Sequence, residues 1–144
     1  MKIVLFADGL VGVSIANYLL EHYKDDLVSI ICIQENDIYD LCISQNIPVL
    51  VYKNENNLST YLNSISFDLG ILAWWPKIIS NNIITLSELG FINTHNSLLP
   101  SNRGKHPYFW TFIENCDYGV TIHWVDEGID TGDIIAQKKI TYDC

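Results

Sequence analysis

The segment KIVLFADGLVGVSIANYLLEHY, Lys2 to Tyr23, restricts the fold more than any other stretch of the chain. Lys2 to Ala7 is a short β-branched and apolar run that stops at Asp8-Gly9. Val11, Ile15, Leu19 and Tyr23 then recur at helical spacing. A strand apolar on both faces, turning at once into an amphipathic helix, needs helices to cover it, as in a parallel sheet. The pattern continues with Val28 to Ile33 as a second strand, Ile38 to Gln45 as a short helix and Pro48 to Tyr52 as a third strand. Asn54 to Asn57 reads as a polar loop, Leu58 to Ser64 as a helix and Leu69 to Trp74 as a fourth strand. Pro76 follows, at a place where its missing N–H suits the first turn of a helix. Gly90 to Asn96, Val120 to Asp126 and Asp133 to Ile140 complete seven strands, with a helix over Pro107 to Asn115. The alternation predicts an α/β fold: a Rossmann-like, doubly wound, mostly parallel seven-stranded sheet.

A length of 144 residues fits one domain able to bury roughly two-thirds of its unfolded surface. No apolar run reaches the ~18 residues of a membrane-spanning helix, and IISNNIITL is broken by Asn81 and Asn82. Asp8 interrupts the N-terminal apolar run before it could serve as a signal peptide. Cys32, Cys42, Cys116 and Cys144 lack metal-ligand spacing and read as reduced thiols of a cytoplasmic protein. With 8 Lys plus Arg against 17 Asp plus Glu, the net charge of −9 opposes binding to nucleic acid.

The stretch INTHNSLLPSNRGKHP, Ile92 to Pro107, places Asn93, His95 and Ser97 at alternate positions, hence on one face of a strand end. Ligand crevices in open α/β sheets form at the C-terminal ends of strands. A satisfied core histidine would account for His95 alone, but not for its polar company. Further on, VDEGIDTGD, Val125 to Asp133, gathers four carboxylates and two glycines between two strands, a composition that solvated turns also share. There is no H-x-x-x-H or tight Cys/His cluster to make a metal site of His95, His106 and His123. The turn DGLVG lacks the G-x-G-x-x-G spacing of a dinucleotide site.

NTHNSLLPSNRG followed by GVTIHWVDEGIDTGDII resembles the formyltransferases that use 10-formyltetrahydrofolate. These share an N-x-H strand, an SLLP-x-x-RG turn, a T-x-H strand and a D-x-G loop. The likeness runs from about Leu69 to Gln137 and implies a catalytic trio of Asn93, His95 and Asp130 with no metal. An amine attacking a formyl carbon creates an oxyanion, which needs a fixed donor such as the Asn93 amide. Protons must leave the amine and reach the folate nitrogen, which suits His95, with Asp130 orienting it, raising its basicity or ordering a water. The resemblance also implies folate held by main-chain groups of Pro76, Lys77, Ile78 and Ile79 and of Asp126, Glu127 and Gly128, with Trp74 and Trp75 walling the pocket. Ser97, Arg103 and Gly9 are expected at the acceptor substrate, Arg103 either bracing its turn or meeting a phosphate. His123 is expected as a pocket neighbour outside the proton path.

Among such enzymes, the aromatic run Lys105-His106-Pro107-Tyr108-Phe109-Trp110 and the string DTGD are most like the nucleotide-sugar N-formyltransferases. The expected acceptor is therefore a nucleotide-linked amino sugar. Glycinamide ribonucleotide, or a catalytically silent folate- or nucleotide-sugar-binding relative, are the alternatives. Residues 1–144 are expected to form one minimal catalytic domain without a C-terminal extension. A homodimer is allowed for.

Overall fold

A computed structural model of the chain describes residues 1–114 and 117–141, with the side chains of Tyr108 and Phe112 outside that description. The last residue of the expected fifth helix and the thiols of Cys116 and Cys144 lie outside the described residues. Two compact units, Met1–Phe91 and Ile92–Cys144, make up the chain.

The first unit contains β1 (Ile3–Ala7), α1 (Gly9–His22), β2 (Leu27–Cys32), α2 (Asp37–Gln45), β3 (Val49–Val51), α3 (Glu55–Asn63), β4 (Leu69–Ala73) and the short α4 (Asn81–Ile84). Its strands run in the order β3-β2-β1-β4, and β1 pairs in parallel with both β2 and β4. Every residue of β1 is buried, as its uniformly apolar sequence requires. Ile3, Leu5 and Ala7 pack with Ala16 and Leu19 of α1 and with Ile38 and Cys42 of α2. Each large side chain so covered contributes roughly 1.5–3 kcal/mol relative to exposure. Burial pushes the Cys32 and Cys42 thiols up to about 11, so both act as small apolar groups at neutral pH.

Two local expectations need correction. Glu55 to Asn57 are the first turn of α3, not loop, because the Asn54 side chain accepts from the Asn57 N–H at 2.8 Å and caps the helix. Pro76 does not open a helix. Trp74 adopts a left-handed φ of 55°, Pro76 disfavours helical geometry at Trp75, and residues 74–80 stay irregular until Ser80 precedes the single turn of α4. Ile79 and Ile83 are buried while Ile78 is 85% exposed, so this apolar run lacks the one-sided spacing a longer helix would need.

The second unit holds the part of β5 (Gly90–His95) from Ile92 onward, with α5 (Pro107–Ile113), β6 (Gly119–Trp124) and β7 (Ile134–Lys139). Here β6 lies antiparallel between β5 and β7. The seven-stranded, mostly parallel α/β architecture expected from the sequence is therefore present. Among the described residues no helix is long and apolar enough to cross a membrane.

Candidate active site

Asn93, His95, His123 and Asp130, whose polar side chains converge on one another, all belong to the second unit. The antiparallel register sets Asn93 opposite His123 and His95 opposite Thr121. Cross-strand partners lie close enough for side chains to touch. Asn93 Nδ2 stands 3.4 Å from His123 Nε2, and the His95 and His123 rings meet edge to face with centroids 6.4 Å apart.

Beyond His95 the chain enters a loop tied back at several points. Ser97, fully buried, donates from Oγ to the Ser101 carbonyl at 2.7 Å. Thr121 donates to the Ser97 carbonyl at 2.7 Å and accepts from the Leu99 N–H at 3.1 Å. Gln137 of β7 donates to the Leu99 carbonyl at 2.8 Å. The Leu99–Pro100 peptide is cis, and Asn102, Gly104 and His106 have positive φ values of 56°, 83° and 57°. Gly takes this geometry readily, and Asn and His are among the other residues that adopt it most often. The result is a carbonyl and an amide aimed inward: Asn102 accepts from His95 Nε2 at 2.8 Å, and the Gly104 N–H donates to Asp130 Oδ2 at 2.8 Å.

Asp130 is the centre of the arrangement. It comes from the loop between β6 and β7 with a φ of 53°, a left-handed position that Asp tolerates better than most residues. Its Oδ1 receives the Asn93 amide at 3.3 Å and faces His123 Nε2 at 3.3 Å; its Oδ2 lies 3.5 Å from His95 Nδ1. The carboxylate is 12% exposed. Burial pushes its pKa upward, but hydrogen bonds from His123 and the Gly104 N–H and the nearby imidazoles outweigh this, leaving it below the ordinary range. His123, 2% exposed, shows the complementary balance. Burial lowers its pKa, yet the bond to Asp130, the Trp124 carbonyl and the charges of Asp130 and Asp126 together raise it above the ordinary imidazole value.

The loop that delivers Asp130 is organised by Asp126, whose Oδ1 accepts from the Thr131 hydroxyl at 2.6 Å and from the Gly128 N–H at 2.9 Å. Those two bonds, the hydroxyl's first, hold the Asp126 carboxyl below its usual range. Gly132 is required by close approach: a Cβ there would strike the Trp124 backbone carbonyl.

Asn93, His95 and Asp130, expected as a trio, do come together. Ser97 sits beside them, but its hydroxyl is taken by turn carbonyls and buried, so the side chain aims the loop and is not placed to meet a substrate. Arg103 is exposed on the same loop, and Asp126, Glu127 and Gly128 are exposed beside Asp130. Gly9 and Pro76 to Ile79 belong to the first unit, Gly9 at the turn after β1 and the others in the irregular loop after β4. Trp74 is 43% exposed and lies against Gly9, whose added Cβ would come 2.9 Å from the indole. One contact escapes sequence reasoning: Asn102 acts through its main-chain carbonyl, which leaves no trace in residue type. His123, expected as a pocket neighbour, lies 3.3 Å from Asp130 and 3.4 Å from Asn93.

These contacts are spaced for hydrogen bonds, and among the described residues no group of three or more His, Cys, Asp or Glu could hold a metal ion. One carboxylate between two imidazoles, with an amide donor alongside, can hold and move a proton while stabilising a nascent oxyanion.

A family profile described as Formyl transferase matches residues 3–143. Methionyl-tRNA formyltransferase from Clostridioides difficile (strain 630) is 34% identical over 109 residues, 74% of this chain and 35% of that protein. Phosphoribosylglycinamide formyltransferase from Streptococcus pneumoniae TIGR4 superposes with a TM-score of 0.84 at 26% identity, over 99% of this chain and 83% of its own. The formyltransferase PseJ from Anoxybacillus kamchatkensis, solved in complex with UDP-4,6-dideoxy-4-formamido-L-AltNAc and tetrahydrofolate, gives a TM-score of 0.61 at 29% identity, over 99% of this chain and 62% of its own. The chain spans about a third of the length of the methionyl-tRNA enzyme it matches.

Proposed function

Because the chain belongs to the formyl transferase family, we propose that it moves a formyl group from 10-formyltetrahydrofolate to the amine of a nucleotide-linked amino sugar. The observation that carries this reading is the convergence of Asn93, His95 and Asp130 on one hydrogen-bonded cluster, with the amide of Asn93 within 3.3 Å of the carboxylate. As the amine nitrogen adds to the formyl carbon, the carbonyl π pair moves to oxygen, and an Asn93 N–H not used by Asp130 is the donor for that oxyanion. His95 gives its Nε2 proton to the folate nitrogen that leaves and takes up the proton lost by the amine, so the net proton passes from amine to folate. Its Nε2–H is bonded to the Asn102 carbonyl, so that bond exchanges for a substrate contact during transfer. Asp130 holds the imidazole on its Nδ1 side. Asp126 to Gly128 supply main-chain groups to the pterin, and Arg103 meets the acceptor.

The choice of acceptor rests on the aromatic stretch at Phe109 and Trp110, which are 50% and 48% exposed, and on the sugar nucleotide held by the PseJ structure. The fit to the phosphoribosylglycinamide enzyme, at TM-score 0.84, favours glycinamide ribonucleotide as the second reading. A net charge of −9 weighs against tRNA. The test is incubation with 10-formyltetrahydrofolate and a panel of amines (nucleotide-linked 3-amino and 4-amino sugars, glycinamide ribonucleotide, methionyl-tRNA), read by mass spectrometry. Amide formation on an amino sugar is expected. Product only on another acceptor overturns the choice of substrate, and no product at all favours a silent binder.

A further inference from the structure

His123 is buried, contacts two members of the trio and has no assigned task. Its Nδ1 lies 2.8 Å from the Trp124 carbonyl, which can only accept, so Nδ1 carries a proton in either charge state. Only Nε2 is left to vary, and it faces two groups at once: Asp130 Oδ1 at 3.3 Å and Asn93 Nδ2 at 3.4 Å. These two neighbours make opposite demands. A bare Nε2 accepts an Asn93 N–H and turns its lone pair toward a carboxylate. A protonated Nε2 donates to Asp130 and has nothing to offer the Asn93 amide.

Asn93 has two amide hydrogens, and Asp130 already receives one at 3.3 Å. Whether the second is free depends on the imidazole next to it. We infer that His123 is a positioning residue that allocates the Asn93 amide: protonated on both nitrogens it is pinned between Trp124 and Asp130 and leaves one Asn93 N–H for the oxyanion, and neutral it captures that N–H. The inference rests on the formyl-transfer reading of the site. The groups that face His123 favour the charged form. Asp130 and Asp126 act on it from the β6–β7 loop, and His95 presents its ring from β5. The residue paired with it on β7 is the apolar Ile134. The balance described above, with the imidazole held above its ordinary pKa, agrees with a protonated resting state.

Two measurements on the full chain test the inference. In ¹⁵N-labelled protein, two-bond ¹H–¹⁵N correlations from pH 5 to 9 report both His123 nitrogens, and the Asn93 side-chain amide is followed in the same samples. Nδ1 is expected to stay protonated throughout, and one Asn93 amide hydrogen to shift with the loss of the Nε2 proton. An amide indifferent to that titration, or an Nδ1 that is bare in the neutral form, overturns the inference whether or not the chain transfers formyl. The second measurement is kinetic. His123→Gln is expected to lower kcat with little change in KM, by up to the ~10²-fold that one oxyanion donor contributes. The same substitution should have no further effect in an Asn93→Ala background. An equal loss in both backgrounds refutes action through Asn93. Absence of turnover in the unaltered protein removes the formyl-transfer reading instead, and the amide titration still decides the link between His123 and Asn93.

Discussion

Asp130→Asn is the substitution that tests the site most severely, because shape is kept while one acceptor oxygen and the charge are lost. The carboxylate has four partners: the Gly104 N–H, the Asn93 amide, His95 and His123. An amide can keep the Gly104 bond with its oxygen, and its NH2 then points at the Asn93 NH2 and at His123 Nε2. Donor meets donor at Asn93, and His123 is accommodated only when neutral. Removing one member of a buried ion pair costs about 3–5 kcal/mol when the other stays charged. At 12% exposure little of this is screened by solvent. His123, however, can shed its proton, and the sign of the pH effect follows. Its folded pKa is raised, so its stabilisation is complete below the ordinary value near 6.5 and is lost as pH rises through the folded value. The Asp130 pKa is lowered, so its own contribution is constant above its ordinary range. Urea unfolding of both proteins should therefore show a deficit of about 3–5 kcal/mol at pH 5.5 that shrinks steadily by pH 8.5. A deficit independent of pH across that range would refute the pairing of His123 with Asp130. In the transfer assay the same variant should lose at least about 10²-fold in rate, the lower range for a general acid–base component.

His95→Asn should slow the chemical step by at least about 10²-fold, and a near-normal rate would remove it from the proton path; the Asn102 carbonyl, left without its donor, should cost about 1–3 kcal/mol in the same protein's denaturation curve. Gly132→Ala forces the Trp124 carbonyl to move and should destabilise by about 1–3 kcal/mol in a denaturation curve, with unchanged stability contradicting the close approach. Ser97→Ala leaves the Ser101 carbonyl without its buried donor, a loss of about 1–3 kcal/mol. Transfer activity should survive exhaustive chelation, and loss with rescue by zinc would point to a metal after all.

Much of this was legible in the sequence, for identifiable reasons. Strands such as Ile3–Ala7 are apolar at every position, and buried parallel strands leave that mark plainly. The N-x-H spacing put Asn93 and His95 on one face without any coordinates. What failed were features decided by single hydrogen bonds or by one backbone angle. Asn54 turns a polar stretch into helix by accepting one N–H, and Trp74, in a left-handed conformation, keeps the following residues out of a helix. The place of His123 beside Asn93 depends on register: one residue of slip along β6 would turn its ring to the other side of the sheet. The contribution of Asn102 is a carbonyl, identical in all residues and invisible to any motif.

The loop that follows β5 is held by its backbone and exposes side chains at alternate positions. Asn102 and Gly104 are anchored through main-chain atoms, while Ser101, Arg103 and Lys105 between and beside them are exposed. Backbone anchoring makes the geometry of His95 and Asp130 nearly indifferent to which side chains stand at 101, 103 and 105. Such a loop is evolvable in a particular sense: charge and size can drift at its outer positions, altering what approaches the cluster, without moving the atoms within it. Randomising those three positions together should yield folded proteins at high frequency, and it is the natural starting point for redirecting the chain toward a different amine.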